Sequence, residues 1–266
     1  HQFGVVNRWH QHDLDQTDYP LAMLALLGED GLYGNGFSFG WLMPSLWAHA
    51  NELVIQVTDG ENAHLFTGTA FSVPTVMAHL KNYYDLDEAT YLELGLSGMF
   101  GFNNRRGVPD PDTAGVLLDD DDWRPTWVAG ADLTLFWSPP AQARYRSFTW
   151  RSEAYFVNRE DPLETRRGWG AYSYFQYQLG ASWYVGLRGD LVRGDVQREP
   201  GKPDPTTRWQ VVPYVTFWQS EFVYLRLEAQ HGERFMDVGG VPTLRHDTRV
   251  LFQVNWAAGP HKHEKY

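Results

Sequence analysis

The stretch Arg249-Val250-Leu251-Phe252-Gln253-Val254-Asn255-Trp256 decides the fold. Its bulky apolar side chains Val250, Phe252, Val254 and Trp256 share one face, and Arg249, Gln253 and Asn255 share the other. A period of two residues is that of a β-strand and differs from the period of a helix. This stretch is therefore a strand with one apolar face and one polar face.

The same alternation recurs along the whole chain, and it predicts an all-β fold. The connections between the alternating stretches are alternately short and long, as in a transmembrane antiparallel β-barrel with tight turns at one side of the membrane only. We predict one domain over residues 1–266, with about 12 strands visible. The strands are expected near 2–7, 34–43, 51–58, 75–84, 90–101, 126–137, 146–157, 169–178, 182–192, 207–217, 222–231 and 247–257.

A soluble sandwich or soluble barrel also has alternating strands. Two features favour the membrane barrel. Bulky apolar residues occupy one face of every predicted strand, and aromatic residues cluster near strand ends, as in the two interfacial girdles of a membrane barrel. Examples of these aromatic residues are Trp41, Trp47, Tyr83, Tyr84, Trp123, Trp127, Trp137, Trp183, Trp209, Trp218 and Trp256.

Composition limits the possible partners. The net charge of −11 argues against a nucleic-acid partner, which requires a basic surface. The chain has no cysteine, which excludes disulfides and thiolate metal sites. It begins at His1 without an initiator Met, so either a leader was removed or the sequence is part of a longer chain.

The polar face carries a ladder of charges. On three strands an arginine is followed two residues later by an acid, and residues two apart on a strand share a face. Such a ladder can set the electrostatics of a water-filled pore, or it can be a structural network that cross-links a closed barrel. The predicted pore-lining residues are Arg151, Glu153, Arg188, Asp190, Arg226, Glu228, Arg249, Glu93 and Asp132, with Lys81, Arg208 and Glu52 also facing inward.

Two parts of the sequence could bind metal ions. His10 and His12, with aspartates nearby, offer ligands suited to zinc, and His261 and His263 repeat the spacing near the C-terminus. The run Asp119-Asp120-Asp121-Asp122 could bind calcium or another cation, but a solvated loop is the favoured account. Long acidic loops also suit divalent ions bound to lipopolysaccharide.

The long connection over residues 8–33 contains an apolar part. Between Tyr19 and Asp30 lie Leu21, Met23, Leu24, Leu26 and Leu27, which must be buried somewhere. This part is expected either to fold into the lumen as a constriction or to pack on the rim.

No catalytic constellation is present, so we predict that the protein is not an enzyme. Ser152 falls on the apolar face, but no histidine falls on the outer face of a neighbouring strand. The chain has no nucleophile elbow and no phosphate-binding glycine motif.

Several phrases along the chain resemble one bacterial family. They include WHQH at 9–12, SFGWLMP at 38–44, LKNYYDL at 80–86, LELGLSG at 92–98, YRSFTW at 145–150, YSYFQYQ at 172–178 and FWQSEF at 217–222. They resemble the outer-membrane β-barrel family labelled zinc-regulated TonB-dependent outer-membrane receptor. The resemblance implies about four more strands upstream, so that this chain would be the C-terminal part of a barrel of about 16 strands. The chain shows neither a TonB box nor a plug domain.

These observations together predict a porin-like channel in the bacterial outer membrane for passive diffusion of small polar or ionic solutes. The alternatives are a sealed structural or assembly barrel that holds a protein partner, and a zinc-uptake receptor as the family label implies. The expected partners are the lipid bilayer, lipopolysaccharide and small solutes, with a protein partner or a second copy of the chain as further candidates.

Overall fold

The computed structural model describes residues 1–60, 62, 64–67, 73–109, 117–160, 165–194, 206–238 and 241–256. They form an all-β fold with eleven strands in one antiparallel sheet. The strands are β1 (Gly36–Met43), β2 (Ala50–Thr58), β3 (Thr75–Asp87), β4 (Thr90–Pro109), β5 (Leu117–Trp137), β6 (Phe148–Glu160), β7 (Thr165–Leu179), β8 (Trp183–Arg193), β9 (Thr207–Ser220), β10 (Val223–Val238) and β11 (Val241–Trp256).

The strands follow one another in chain order across the sheet. Each strand pairs with the next, and the register keeps like faces together: Leu133 pairs with Ser152, and Ser152 pairs with Ser173. The first and last strands, β1 and β11, do not pair with each other, so the sheet formed by the described residues is open. The prediction of an all-β antiparallel fold is confirmed, and closure into a barrel is not shown.

The structure has eleven strands where about twelve were predicted, because residues 2–7 do not form a strand. This stretch leads into a single 3₁₀ turn, Val6–Arg8. The apolar residues of this stretch have another role, since Phe3, Val5 and Val6 are all buried against the sheet. The backbone N–H of Gly4 donates to Ser97 Oγ at 3.0 Å instead of to a neighbouring strand.

Several strands extend beyond their predicted ends on the side of the long connections. β4 continues to Pro109 instead of ending at 101, and β5 begins at Leu117 instead of 126. The neighbouring pair β10 and β11 extends to Val238 and Val241. Polar residues dominate these extensions, so they lack the apolar alternation that marks a strand in a sequence.

Residues 1–35 lie on one face of the sheet, and we call them the inserted segment. They contain one short helix, α1 (Leu21–Leu26). Within the described ranges, no helix is long and apolar enough to cross a membrane. The covered face of the sheet is called the inner face and the opposite face the outer face.

The sheet curls around the inserted segment. His1 reaches Gln56 of β2, while Asp18 reaches Arg249 of β11. Strands lie about 4.8 Å apart, so β2 and β11 would be about 43 Å apart in a flat sheet. An extended segment could span that distance, but the adjacent residues Leu14 and Asp15 contact Arg226 of β10 and Arg151 of β6. These two strands would be about 19 Å apart in a flat sheet, so the inner face is concave. The connection over residues 8–33, expected as a long loop, lies inside the curve. Its apolar part packs against Gly168 and Gly170 of β7, close to the end of this strand at the long connections.

Candidate functional site: the charged inner face and the inserted segment

Glu153 anchors the start of the inserted segment. Its carboxylate accepts the backbone N–H groups of Val5 at 3.1 Å and Val6 at 2.8 Å. The hydroxyl groups of Tyr155 and Tyr172 also donate to it. Glu153 is buried, and a buried carboxylate is stable only when donors replace its lost water. These four donors meet that requirement.

Arg151 binds the next part of the segment. Its guanidinium group lies 3.7 Å from the carboxylate of Asp15 and stacks at 4.4 Å from the ring of Trp9. Tyr174 donates to the same carboxylate at 2.6 Å. Arg151 Nε donates to Thr134 Oγ1 on β5 at 2.9 Å. This hydrogen bond orients the guanidinium group on the inner face of the sheet. An ion pair and a cation–π contact thus join β6 to the segment.

Arg188 lies at the centre of the inner face and is fully buried. Its Nε atom donates to Asp190 Oδ2 at 3.1 Å on the same strand. Its Nη1 atom donates to the backbone oxygen of Asp18 at 2.9 Å and to Gln16 Oε1 at 3.3 Å. The predicted pair of residues two apart is therefore a real ion pair, and it also holds the segment.

The third predicted pair, Arg226 and Glu228 on β10, binds the segment through its backbone. Arg226 Nη2 donates to the backbone oxygen of Leu14 at 2.8 Å. The backbone N–H of Thr17 donates to Glu228 Oε2 at 2.8 Å. Since each contact is to the main chain, both side chains fix the path of the segment regardless of its side chains there.

The remaining predicted residues lie nearer the sides of the inner face. Arg249 is half-exposed and lies 3.8 Å from Asp18. Glu93 lies 3.9 Å from Lys81, which also approaches Glu52 at 3.8 Å. Asp132 is buried, and one of its oxygens has no hydrogen-bond partner among the described residues.

All nine predicted residues therefore lie on the inner face, and most of them contact the inserted segment. Sequence reasoning did not identify the acids Asp15 and Asp18 as their partners. The role of the nine residues in lining a pore stays a prediction.

Glycines on the inner face leave room for apolar side chains of the inserted segment to pack against the backbone of the sheet. A Cβ atom at Gly130 would lie 2.8 Å from the ring of Phe3. A Cβ atom at Gly170 would lie 2.8 Å from Ala22, in helix α1. Larger residues at these positions would push the segment off the sheet. Glycine at an inward position of an alternating strand was a signal that sequence analysis could have used.

The metal-site candidates remain untested. The rings of His10 and His12 stack 5.5 Å apart, and His12 Nε2 lies 3.5 Å from Asp13. Across the described part of the chain, no group of three or more potential ligands is arranged to hold a metal ion. The side chains of Asp119–Asp122, and all of His261 and His263, lie outside the described residues. Zinc or calcium binding stays a prediction.

Comparison with known proteins does not identify the chain. No protein-family model matches it, and no curated protein matches it.

Proposed function

We propose that this chain forms the wall of an outer-membrane β-barrel channel whose lumen is narrowed by the inserted segment. The observation that carries the proposal is the contrast between the two faces of one sheet. The inner face binds charges and polar backbone, whereas the outer face exposes large apolar side chains: Phe37 is 74% exposed, Trp256 71% and Val250 70%. Such an extended apolar surface fits contact with lipid hydrocarbon.

A barrel in lipid requires that both free edges be paired, because unpaired backbone groups are too costly in hydrocarbon. In a sheet that follows chain order, β1 and β11 run in the same direction. If β1 paired directly with β11 to close the sheet, the two strands would be parallel. If β11 paired instead with β1 of a second copy, related by rotation about the barrel axis, that pair would also be parallel. Antiparallel closure instead needs an odd number of further strands. Five would make the barrel of about sixteen that the sequence resemblance implies.

The path for solutes lies beside the inserted segment and not through the centre of the inner face. Arg188 and Glu228 are completely covered. Charges that stay partly exposed lie on each side of the covered region: Arg249 is 41% exposed, and Lys81 and Glu93 are 21% and 22% exposed. We infer a narrow passage for small polar or ionic solutes, lined by both signs of charge and therefore weakly selective.

Single-channel conductance in planar bilayers tests this function, with a salt gradient to read ion selectivity. Because the chain has no cysteine, one introduced cysteine is a unique target. His10 is exposed on the inserted segment, so a negatively charged thiol reagent on His10→Cys should reduce the current. The control Leu46→Cys lies in the short connection between β1 and β2. The same reagent should modify this cysteine without changing the current.

A sealed barrel that holds a protein partner is the second candidate, and the full burial of Arg188 and Glu228 favours it. Folded, inserted protein that carries no current would reject the channel and support the sealed barrel.

The resemblance to the zinc-regulated receptor family supports a third proposal, uptake of zinc. This proposal predicts uptake that depends on an energised inner membrane and expression repressed by zinc. Passive conductance that needs neither would argue against it.

A further inference from the structure

The centre of the outer face carries a depression with a floor of small side chains. Ala131, Ala154 and Ala171 pair in register across β5, β6 and β7. The adjacent row contains Ser152, Ser173 and Gly189, which pair across β6, β7 and β8. We call the depression above these six residues the bowl.

Large apolar side chains surround the bowl. Leucines of β4 and β5 form one wall, and residues of β8 and β9 form the other. Along the strands it lies between two cross-strand aromatic pairs. The cavity is about 810 Å³, which is within the range of about 300–1,000 Å³ typical of ligand pockets. The surrounding residues are Leu94, Leu96, Leu133, Leu191, Trp209 and Val211, with the pairs Trp150–Phe175 and Phe156–Trp169.

The polar atoms in the floor bond to one another. Trp150 Nε1 donates to Ser152 Oγ at 2.9 Å and to Ser173 Oγ at 3.0 Å. The two hydroxyl oxygens lie 2.8 Å apart. Asp132, Glu153 and Asp190 also line the bowl, but only their backbone faces it, because their side chains lie on the inner face. The side chains that face the bowl are uncharged. The occupant that fits such a lining is apolar.

We propose that the bowl is a binding site for an acyl chain of a membrane lipid, held in one place while other lipids around the protein exchange freely. This inference rests on the proposed function only in placing the outer face in lipid. The bowl is continuous with the exposed apolar surface on all sides, so a chain can enter it without leaving the hydrocarbon layer.

A second copy of the chain fits the bowl less well than a lipid. The outer face is convex, so two copies would touch along a narrow line. A stable protein interface buries about 800 Å² on each partner, and good shape complementarity is needed to reach that area. A flexible acyl chain can instead follow the floor between Trp169 and Phe175, which are 42% and 45% exposed at the rim.

Native mass spectrometry tests the proposal. The full chain is reconstituted in vesicles of phosphatidylethanolamine and phosphatidylglycerol and then extracted in mild detergent. The parent protein should retain one phospholipid. The double variant Ala154→Leu with Ala171→Leu fills the floor and should retain about tenfold less.

Two further variants keep the test decisive if the double variant folds poorly. Gly189→Leu fills the bowl from β8, where an added Cβ meets no atom within 4 Å, and should reduce retention severalfold. Ala78→Leu lies on the outer face away from the bowl and should leave retention unchanged. Equal retention by all four proteins, no lipid on the parent, or a dimer lost on filling the bowl would each overturn the proposal.

Conductance separates this inference from the channel function. The bowl faces away from the inner face, so the filled variants should conduct like the parent. Retained lipid without conductance would leave the lipid site standing and remove the channel. Conductance without retained lipid would leave the channel standing and remove the lipid site.

Discussion

The side chains on the two faces of strand β6 are stabilised by opposite kinds of surroundings. Inward, Arg151 and Glu153 are held by ions, aromatic rings and backbone N–H groups of the inserted segment. Outward, Trp150 and Ser152 face a depression without charge. The comparison teaches that charges on the inner face are stable because a second piece of chain supplies their partners. The outer face has no such partner, so it is stable only where the surroundings are apolar.

The largest effect is expected from Arg188→Leu. This change leaves Asp190 buried without its cation and removes the hydrogen bonds of Arg188 to Gln16 and to the backbone oxygen of Asp18. Breaking a buried pair costs about 3–5 kcal/mol, so the free energy of unfolding in urea should fall by about that amount. Arg249→Leu removes a half-exposed partner of the same segment and should cost at most about 1 kcal/mol. Equal losses in the two variants would show that the inner face does not depend on the segment.

A charge on the outer face should have the next largest effect. Leu133→Arg lies beside the bowl, in register with Ser173 near the middle of β7, and should lower the free energy of unfolding from vesicles by about 2–4 kcal/mol. Leu86→Arg lies near the end of β3 and should cost about 0–1 kcal/mol, because the arginine reaches the interface. Costs that do not depend on position along the strand would contradict a lipid-facing outer surface.

Replacing an inner-face glycine by a larger residue should lower stability moderately, and the same kind of change on the outer face should not. Gly170→Val places side-chain atoms against Ala22 and should destabilise the protein by about 1–3 kcal/mol. It should also displace α1 and raise the conductance. Gly189→Ala, on the outer face of the next strand, should be neutral or slightly stabilising. An unchanged conductance in Gly170→Val would mean that α1 does not narrow the passage.

The smallest effect concerns Tyr19, which donates to the backbone oxygen of Trp9 at 2.7 Å. Burial, with the nearby carboxylates of Asp13 and Asp30, raises the pKa of Tyr19 above its ordinary value of 10.0. The folded state therefore favours the neutral phenol, and this stabilisation is lost as the pH rises through the raised pKa.

Tyr19→Phe tests this contact within the segment. The variant should lose about 0.5–1.5 kcal/mol at neutral pH. Its stability should then fall less steeply than that of the parent above pH 10, measured by urea unfolding across the alkaline range. Parallel pH curves for the two proteins would exclude a role for the Tyr19 hydroxyl.

Much of the sheet was predictable because each strand carries its own local signal. Eleven of the stretches predicted as strands overlap strands of the structure, with β2 and β8 within a residue of their predicted ends. The polar extensions of β4, β5, β10 and β11 were missed, since backbone pairing there needs no apolar face. Residues 2–7 were misassigned because Phe3, Val5 and Val6 are apolar for burial in the curve of the sheet and not for pairing in a strand.

Alternation along each strand decides which side chains share a face, since successive residues of a strand point to opposite sides. The ladder from Glu93 to Arg249 could therefore be assigned to one surface from the order of residues alone. What covers that surface depends on contacts between residues far apart in the chain, such as Val6 with Glu153 and Leu14 with Arg226. No local pattern encodes those contacts, because they form only when the sheet curls and brings distant strands around the same segment.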